Sequence, residues 1–297
     1  MIKSNKTNFC KKTYKPLQEL NLIDAFLFGA STEKPQDAEF IAKLIIERAT
    51  NEKVDKISVV SEKEFSGIDI SYHGIRMDLY VEEYEEKRLA KVYDIEPNKY
   101  KPSELPMRSR YSQSLTDVKL LKAGEPYESL PEYISIWILP YDPFGKNQML
   151  YTVKNCVEEY PELVYNDGVK RLFLYVGGEL GGTEKLKDML HYFSCSQKGN
   201  ATDADLEQLH SIVENAKHNQ EVGKRYMTLQ DMIDYEKKES FEDGVALGRE
   251  EGREEGIFAL ISSLKELDIP DEQILNQLMK KFFLTMEEAN AYLNEIN

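Results

Sequence analysis

The stretch that decides the fold is Gly74–Lys99, which reads GIRMDLYVEEYEEKRLAKVYDIEPNK. Two runs within it, Arg76–Glu82 and Leu89–Glu96, read as β-strands, and the charged segment Glu83–Arg88 separates them. Successive side chains of a strand point to opposite faces, so every second residue shares a face. The stretch therefore predicts a β-hairpin with a charged tip.

Three acidic residues of this hairpin are expected to lie together. Asp94 and Glu96 share a face of the second strand, and folding the hairpin about Glu86–Lys87 brings Asp78 opposite one of them. Like charges that face each other destabilise a sheet unless a cation lies between them, and oxygen ligands of this kind suit Mg²⁺. The alternative is a set of ordinary acidic residues near strand ends in an acidic protein.

Composition indicates a globular protein with a substantial core. The chain has 297 residues, of which 41% are hydrophobic and 31% charged, which allows one large domain or two. Its longest apolar stretch, Tyr133–Tyr141, is too short to span a bilayer, and residues 1–15 lack the apolar region of a secretory signal. The cysteines are scattered at Cys10, Cys156 and Cys195, which argues against a disulfide framework. We therefore expect a cytoplasmic protein with no membrane partner.

Charge is unevenly distributed along the chain. The net charge of −15 does not favour DNA binding, but the segment that follows the hairpin is locally basic. Its basic residues are Lys99, Lys101, Arg108, Arg110, Lys119 and Lys122, against only Glu104 and Asp117. They form either a phosphate-binding surface or the solvated face of an ordinary amphipathic helix.

Several short motifs together resemble those of the PD-(D/E)XK nuclease family transposases, also called recombination-promoting nucleases. Gly74–Asp78 is similar to the Gly-x-Arg-x-Asp strand of that family, and Tyr93–Glu96 to its acidic second strand. The resemblance extends from about Leu20 to Gly256. Its further matches are Arg108–Tyr111 with Gln113, Lys122–Gly124 before Tyr127 and Leu130, Asp142–Gly145, and the Gly-Arg-Glu-Glu-Gly tail.

The resemblance implies a metal-dependent DNA endonuclease of low sequence selectivity. In that reading Asp78 and Glu96 are catalytic and hold Mg²⁺, with Mn²⁺ as a substitute, while Asn98 orients the attacking water. The supporting residues would be Asp24, Asp94 and Lys99, and the DNA-binding residues would be Arg108, Arg110 and Gln113.

The sequence departs from the family pattern at two positions. Asn98 stands where the family has Lys or Gln, directly after Pro97, and Leu27 stands near a position where it usually has Lys. Asn98 can hydrogen-bond a water but carries no charge. The alternative is therefore a catalytically impaired nuclease-fold protein that binds DNA or regulates. Asp24 has two readings as well, since it either supports the site or caps a helix.

The order of periodic segments predicts an α/β protein with a restriction-endonuclease-like mixed central sheet flanked by helices, followed by an all-helical C-terminal region. The expected divisions are a flexible N-terminus at 1–18, a nuclease-like core at 19–183, a helical extension at 184–243, and a Gly-Arg-Glu helix with a small helical tail at 244–297. Predicted helices include Pro35–Thr50 and Leu105–Leu121.

Glycine recurs every four residues in the C-terminal region, from Gly244 to Gly256. Glycine costs about 1 kcal/mol relative to alanine in a helix, so its repetition suggests close approach of another backbone. A homo-oligomer formed through the C-terminal helices is one explanation, and a marginal, solvated helix is the other.

Overall fold

A computed structural model of the chain describes residues 15–67, 71, 73–97 and 101–296. The chain divides after Tyr226 into two compact units. The predicted flexible N-terminus lies mostly outside the described residues, and within them Leu17 is buried in the core of the first unit.

The first unit is built on β-strands. In chain order they are β1 (Ile57–Phe65), β2 (Ile75–Glu85), β3 (Arg88–Pro97), β4 (Glu132–Leu139), β5 (Leu150–Val153), β6 (Cys156–Val157), β7 (Tyr160–Val164) and β8 (Val169–Tyr175). Six of them form a mixed sheet with the order β1-β2-β3-β4-β8-β5. Pairing is antiparallel from β1 to β3, parallel from β3 through β4 to β8, and antiparallel between β8 and β5. A separate two-stranded sheet joins β6 to β7.

Helices flank the sheet, and every secondary-structure element in order after β8 is a helix. This confirms the predicted α/β class and the all-helical C-terminal region. The eight α-helices of the described residues are α1 (Ala25–Ser31), α2 (Pro35–Thr50), α3 (Leu105–Leu120), α4 (Glu184–Ser194), α5 (Ala204–His218), α6 (Gln220–Glu266), α7 (Asp271–Phe282) and α8 (Met286–Glu295). None of the helices in this part of the chain has both the length and the apolar character needed to cross a membrane.

The two faces of the sheet bury different sets of side chains. Leu79, Val81 and Ile95 belong to the main core, which also contains residues of α1, α2, α4 and α5. On the other face, Trp137 of β4 packs in a smaller cluster with Leu105 of α3. Strand β4 is apolar on both faces because it lies in the middle of the sheet, between β3 and β8.

The acidic hairpin forms as predicted, with a shorter tip. Glu86 and Lys87 make the turn, and Glu86 has a positive φ of 56°. Part of the expected tip is paired instead: Glu83 lies opposite Lys91, and its Oε2 accepts a 2.7 Å hydrogen bond from the Tyr93 hydroxyl. These contacts extend both strands into the charged segment.

The second unit has a core of its own. Ile257 and Ile261 of α6 pack against Ile274 and Leu278 of α7, together with residues of α8. Thr285 and Glu288 form the two reciprocal hydrogen bonds of a capping box at the start of α8, as the sequence predicts.

The glycine repeat on α6 makes little contact within this unit. A Cβ added at Gly244, Gly248 or Gly252 would meet no other described atom within 4 Å, whereas one at Gly256 would lie 3.5 Å from the Phe282 ring. Close packing against another described residue therefore explains the glycine at position 256, and it does not explain the other three glycines of the repeat.

A buried arginine connects three helices of the first unit. The Nη1 atom of Arg48 on α2 donates to the Lys185 carbonyl oxygen at the start of α4. Its Nη2 atom donates to both carboxylate oxygens of Asp203, at 2.9 and 2.7 Å. Asp203 also caps α5 by accepting from the Leu206 amide. The Arg48 side chain is 4% exposed, so its charge depends on these partners.

We expect Arg48→Ala to lower the free energy of unfolding by about 2–3 kcal/mol, because it leaves a half-buried carboxylate without its partner. Urea denaturation of the full chain measures the change. Lys43→Ala is the matched control, since it removes a solvent-exposed ion pair from the same helix and should cost less than about 0.5 kcal/mol. Equal effects of the two substitutions would contradict a structural role for Arg48.

Candidate functional site

Three carboxylates of the hairpin meet where β2 and β3 run side by side. Leu79 pairs with Ile95, so continuing the register by one residue places Asp78 opposite Glu96. The Asp78 amide donates to Glu96 Oε1 at 3.3 Å, and the hydroxyl of Tyr133 on β4 donates to Asp94 Oδ2 at 2.8 Å. Asp78, Asp94 and Glu96 are called the acid cluster below.

Burial differs sharply within the acid cluster. Asp94 is fully buried and Glu96 is 5% exposed, whereas Asp78 is half-buried. Removal from water penalises the charged form of a carboxyl group. Any ligand that reaches this site from solvent therefore reaches Asp78 first.

The pKa values of all three acids are raised. Burial raises the pKa of Asp78 to about 6, with Glu62 adding to the shift and Arg76 and Arg108 opposing it. Burial raises the pKa of Asp94 to about 7, although the Tyr133 hydrogen bond opposes the shift. For Glu96, burial and then the charges of Asp94 and Asp78 hold the pKa well above its usual range. The three acids therefore hold their protons more readily than free carboxyl groups do, unless a cation stabilises their charged forms.

Buried polar atoms without hydrogen bonds lie beside the acid cluster. In the part of the chain that the structure describes, Asp94 Oδ1, Ser135 Oγ and Trp137 Nε1 have no hydrogen-bond partner. Ser135 pairs with Asp94, and Trp137 with Glu96, across the parallel strands β3 and β4. Buried groups of this kind normally have a partner, and a water or an ion can supply one.

Helix α3 brings basic and polar side chains to this face. The charge of Arg108 lowers the pKa values of all three members of the acid cluster, which places it near them, whereas Arg110 is exposed. Gln113 accepts a 2.8 Å hydrogen bond from Arg171 of β8 and donates to Asp117. Gln113, expected to bind DNA, is thus engaged in fastening α3 to the sheet.

Arg171 is a residue that the sequence reading missed. Its Nε donates to Ser109 Oγ at 3.0 Å and its Nη2 donates to Gln113, so it joins β8 to two positions of α3. A signal existed in the sequence, because Arg171 is a charged residue in the otherwise largely apolar strand Val169–Tyr175.

Glu62 is a second residue that the sequence reading missed. On β1, Ser61 pairs with Leu79 and Lys63 pairs with Met77, so the register is the same on both sides of Glu62. This register puts Glu62 opposite Asp78, but these two residues do not form a pair of the ladder. Glu62 has a positive φ of 51°, which is uncommon for a residue with a side chain. The edge strand is therefore irregular beside the most exposed member of the acid cluster.

The remaining expected site residues have different outcomes. Asp24 caps α1 by accepting from the Phe26 amide at 3.2 Å, which is the second of the two roles considered for it. Asn98 and Lys99 lie outside the described residues. Pro97 is the last residue of β3 and pairs with Ile138.

Comparisons with protein-family models, with curated proteins and with solved structures give no match. Within the described residues, no group of three or more His, Cys, Asp or Glu side chains is arranged to hold a metal ion by itself.

The raised pKa of Asp94 predicts how stability depends on pH. Because the folded protein binds this proton at about pH 7 and the ordinary pKa is 3.8, the stability that the neutral form confers is complete below about pH 4 and is lost as the pH rises towards 7. Without divalent cations, Asp94→Asn should therefore raise the free energy of unfolding by about 2 kcal/mol at about pH 8 and leave it unchanged at about pH 4.

Urea denaturation at both pH values measures this difference. Glu64→Gln, which changes an exposed acid on β1, is the control and should have no pH-dependent effect. If Asp94→Asn gave the same change at both pH values, the carboxyl group would not be titrating in the way its burial implies.

Proposed function

We propose that the chain is a divalent-metal-dependent DNA endonuclease with a restriction-endonuclease-like arrangement of its sheet. The observation that carries the proposal is the convergence of Asp78, Asp94 and Glu96, with Arg108 close enough to affect the pKa of each. The three acids lie on a three-stranded antiparallel meander, and Arg108 lies on the helix that connects this meander to the parallel strand β4. Low sequence selectivity is expected, because contacts to phosphates position DNA without reading it.

The donor atoms of the site suit Mg²⁺ or Mn²⁺. The ligand atoms on offer are carboxylate oxygens, and Asp94 Oδ1 is buried with no hydrogen bond from any described residue. Asp78 and Glu96 would hold the ion, with Asp94 in support. Mg²⁺ commonly takes one or two carboxylates and completes its shell with water and phosphate, so the site does not need three protein ligands.

When bound, such an ion lowers the pKa of a water and offsets charge on the phosphate. The chain's own residues prepare the site for it. The Asp78 amide fixes one oxygen of Glu96, and the Tyr133 hydroxyl fixes one oxygen of Asp94. Burial and the nearby carboxylate raise the pKa of Tyr133 well above its usual range, so this phenol stays a donor at neutral pH. Arg108 contributes positive charge for the phosphate.

A second candidate is a nuclease-fold protein that binds DNA without cutting it, or that has a regulatory role. Two observations favour it: Asn98 stands where the family has Lys or Gln, and Asp94 and Glu96 are almost completely buried. A poorly accessible site would take up an ion less readily, and without a lysine at that position it would stabilise the charge on the phosphate less. The basic residues of α3 would still contact phosphate, so salt-sensitive binding would remain.

The two candidates differ in their effect on supercoiled plasmid. If the chain is a nuclease, Mg²⁺ should allow it to nick the plasmid, and Asp78→Asn or Glu96→Gln should lower the rate by at least about 100-fold, since each removes a carboxylate from the ion. Gel electrophoresis of the plasmid with time measures the rate.

Glu85→Gln is the matched control, since it changes an exposed acid at the other end of the same hairpin and should leave nicking unchanged. A wild-type protein that binds DNA in a salt-dependent way but does not nick it with Mg²⁺ or Mn²⁺ would favour the second candidate. Nicking that survives both substitutions would rule out this site.

A further inference from the structure

We propose that Glu62 holds the water shell of the divalent cation on the exposed side of Asp78, as a positioning residue that does not itself bind the ion. The inference rests on the proposed function, because it assumes that Asp78 and Glu96 bind the cation. It adds a residue from the edge strand β1 that neither the hairpin nor the motif resemblance includes.

The geometry of the β1–β2 pair places Glu62 beside Asp78. Residues on both sides of the skipped pair keep one register, so no residue is inserted and Glu62 stays opposite Asp78. The carboxylate of Glu62 is close enough to raise the pKa of Asp78. Its Oε1 lies 3.9 Å from the position that a Cβ on Gly29 of α1 would occupy, so the Glu62 side chain extends beside α1.

At the missing Glu62–Asp78 pair, the side chains of β1 also change from one face of the sheet to the other. Before Glu62, the Ser61 hydroxyl donates to the Thr32 carbonyl on the α1–α2 side. After it, Lys63 Nζ lies 5.6 Å from the centre of the Tyr80 ring, which packs on the α3 side. Residues 61 and 63 would share a face in a regular strand, so the backbone turns over at Glu62. Glu62 therefore stands where β1 changes faces, directly across from Asp78 in the register.

The arrangement is costly in the absence of a cation. A residue with a side chain adopts a positive φ at the same position where two acids face each other, and each feature is unfavourable. Such combinations persist where the surroundings impose them, and they occur often at ligand sites. Glu62 is exposed, and among the described residues no hydrogen bond or ion pair engages its carboxylate.

A second, independent observation points to a ligand at the acid cluster, on the strands β3 and β4. Ser135 is fully buried, lies beside Asp94 on the neighbouring strand, and its hydroxyl has no partner among the described residues. Together with Asp94 Oδ1 it offers an acceptor and a donor to a hydrated ion from the buried side. Mg²⁺ retains several waters when it binds, and partners of this second layer typically change metal affinity by 10- to 100-fold.

The test is isothermal titration of Mg²⁺, repeated with Mn²⁺, into the full chain without DNA. We expect Glu62→Gln to weaken binding about tenfold, because a neutral amide attracts the metal-bound waters less than a carboxylate does. Glu64→Gln is the matched control, since Glu64 is exposed on the same strand two residues away and lies opposite Arg76, and it should bind as the wild type does. Asp78→Asn should abolish binding.

Each outcome distinguishes this inference from the proposed function. If Asp78→Asn abolishes binding and Glu62→Gln does not weaken it, the inference is wrong and the metal site stands. If Glu64→Gln weakens binding as much as Glu62→Gln, the effect is one of general charge and the inference is wrong. If the wild type binds neither ion, or binds both equally well after Asp78→Asn, the metal-dependent function itself fails.

A second variant separates a binding role from a purely structural one. Glu62→Gly removes the carboxylate and also accepts a positive φ without strain, so it should raise the midpoint of thermal unfolding by about 2–4 °C without metal. It should weaken metal binding as Glu62→Gln does. A variant that is less stable than the wild type, or that binds Mg²⁺ equally well, would overturn the role given to Glu62.

Discussion

The structure depends on one constraint: two carboxylates of a central strand are kept away from water. Asp94 and Glu96 occupy consecutive same-face positions on β3, with a parallel strand on one side and an antiparallel strand on the other. Their negative charges can be removed only by protonation or by a cation. Most of the polar contacts on this face follow from that constraint, including the Tyr133 hydrogen bond and the charge of Arg108.

Helix α3 links this constraint to the rest of the first unit. It connects β3 to β4, and Arg171 fastens it to β8 through Ser109 and Gln113. The helix therefore covers the buried acids, and it carries the basic residues that the proposed function assigns to phosphate. On the opposite face, Arg48 fixes the helices against one another, so each side of the sheet depends on one arginine with several partners.

Sequence reasoning succeeded where structure follows local periodicity. The two strand-like runs of Gly74–Lys99, separated by a charged segment, predicted the hairpin, and helical spacing predicted the bounds Pro35–Thr50 of α2. It failed where structure depends on contacts between distant residues. Arg171 lies 62 residues from Ser109 in the chain, so no local pattern pairs them. The positive φ of Glu62 gave no signal either, because Ile57–Phe65 contains no glycine that would mark an irregular position. Alternation also does not predict that Asp94 is fully buried, because it assigns a residue to one face of a strand without saying what packs on that face.

The irregularity at Glu62 has a consequence for self-association. Strand β1 is one edge of the sheet, and the outward N–H and C=O groups of a long regular edge can recruit a strand from another molecule. Here the backbone turns over in the middle of that edge, next to the charged Lys63 and Glu64, while the opposite edge, β5, is only four residues long. Neither edge offers a long, regular template, so the distortion at Glu62 also disfavours pairing of this sheet with a strand of another molecule.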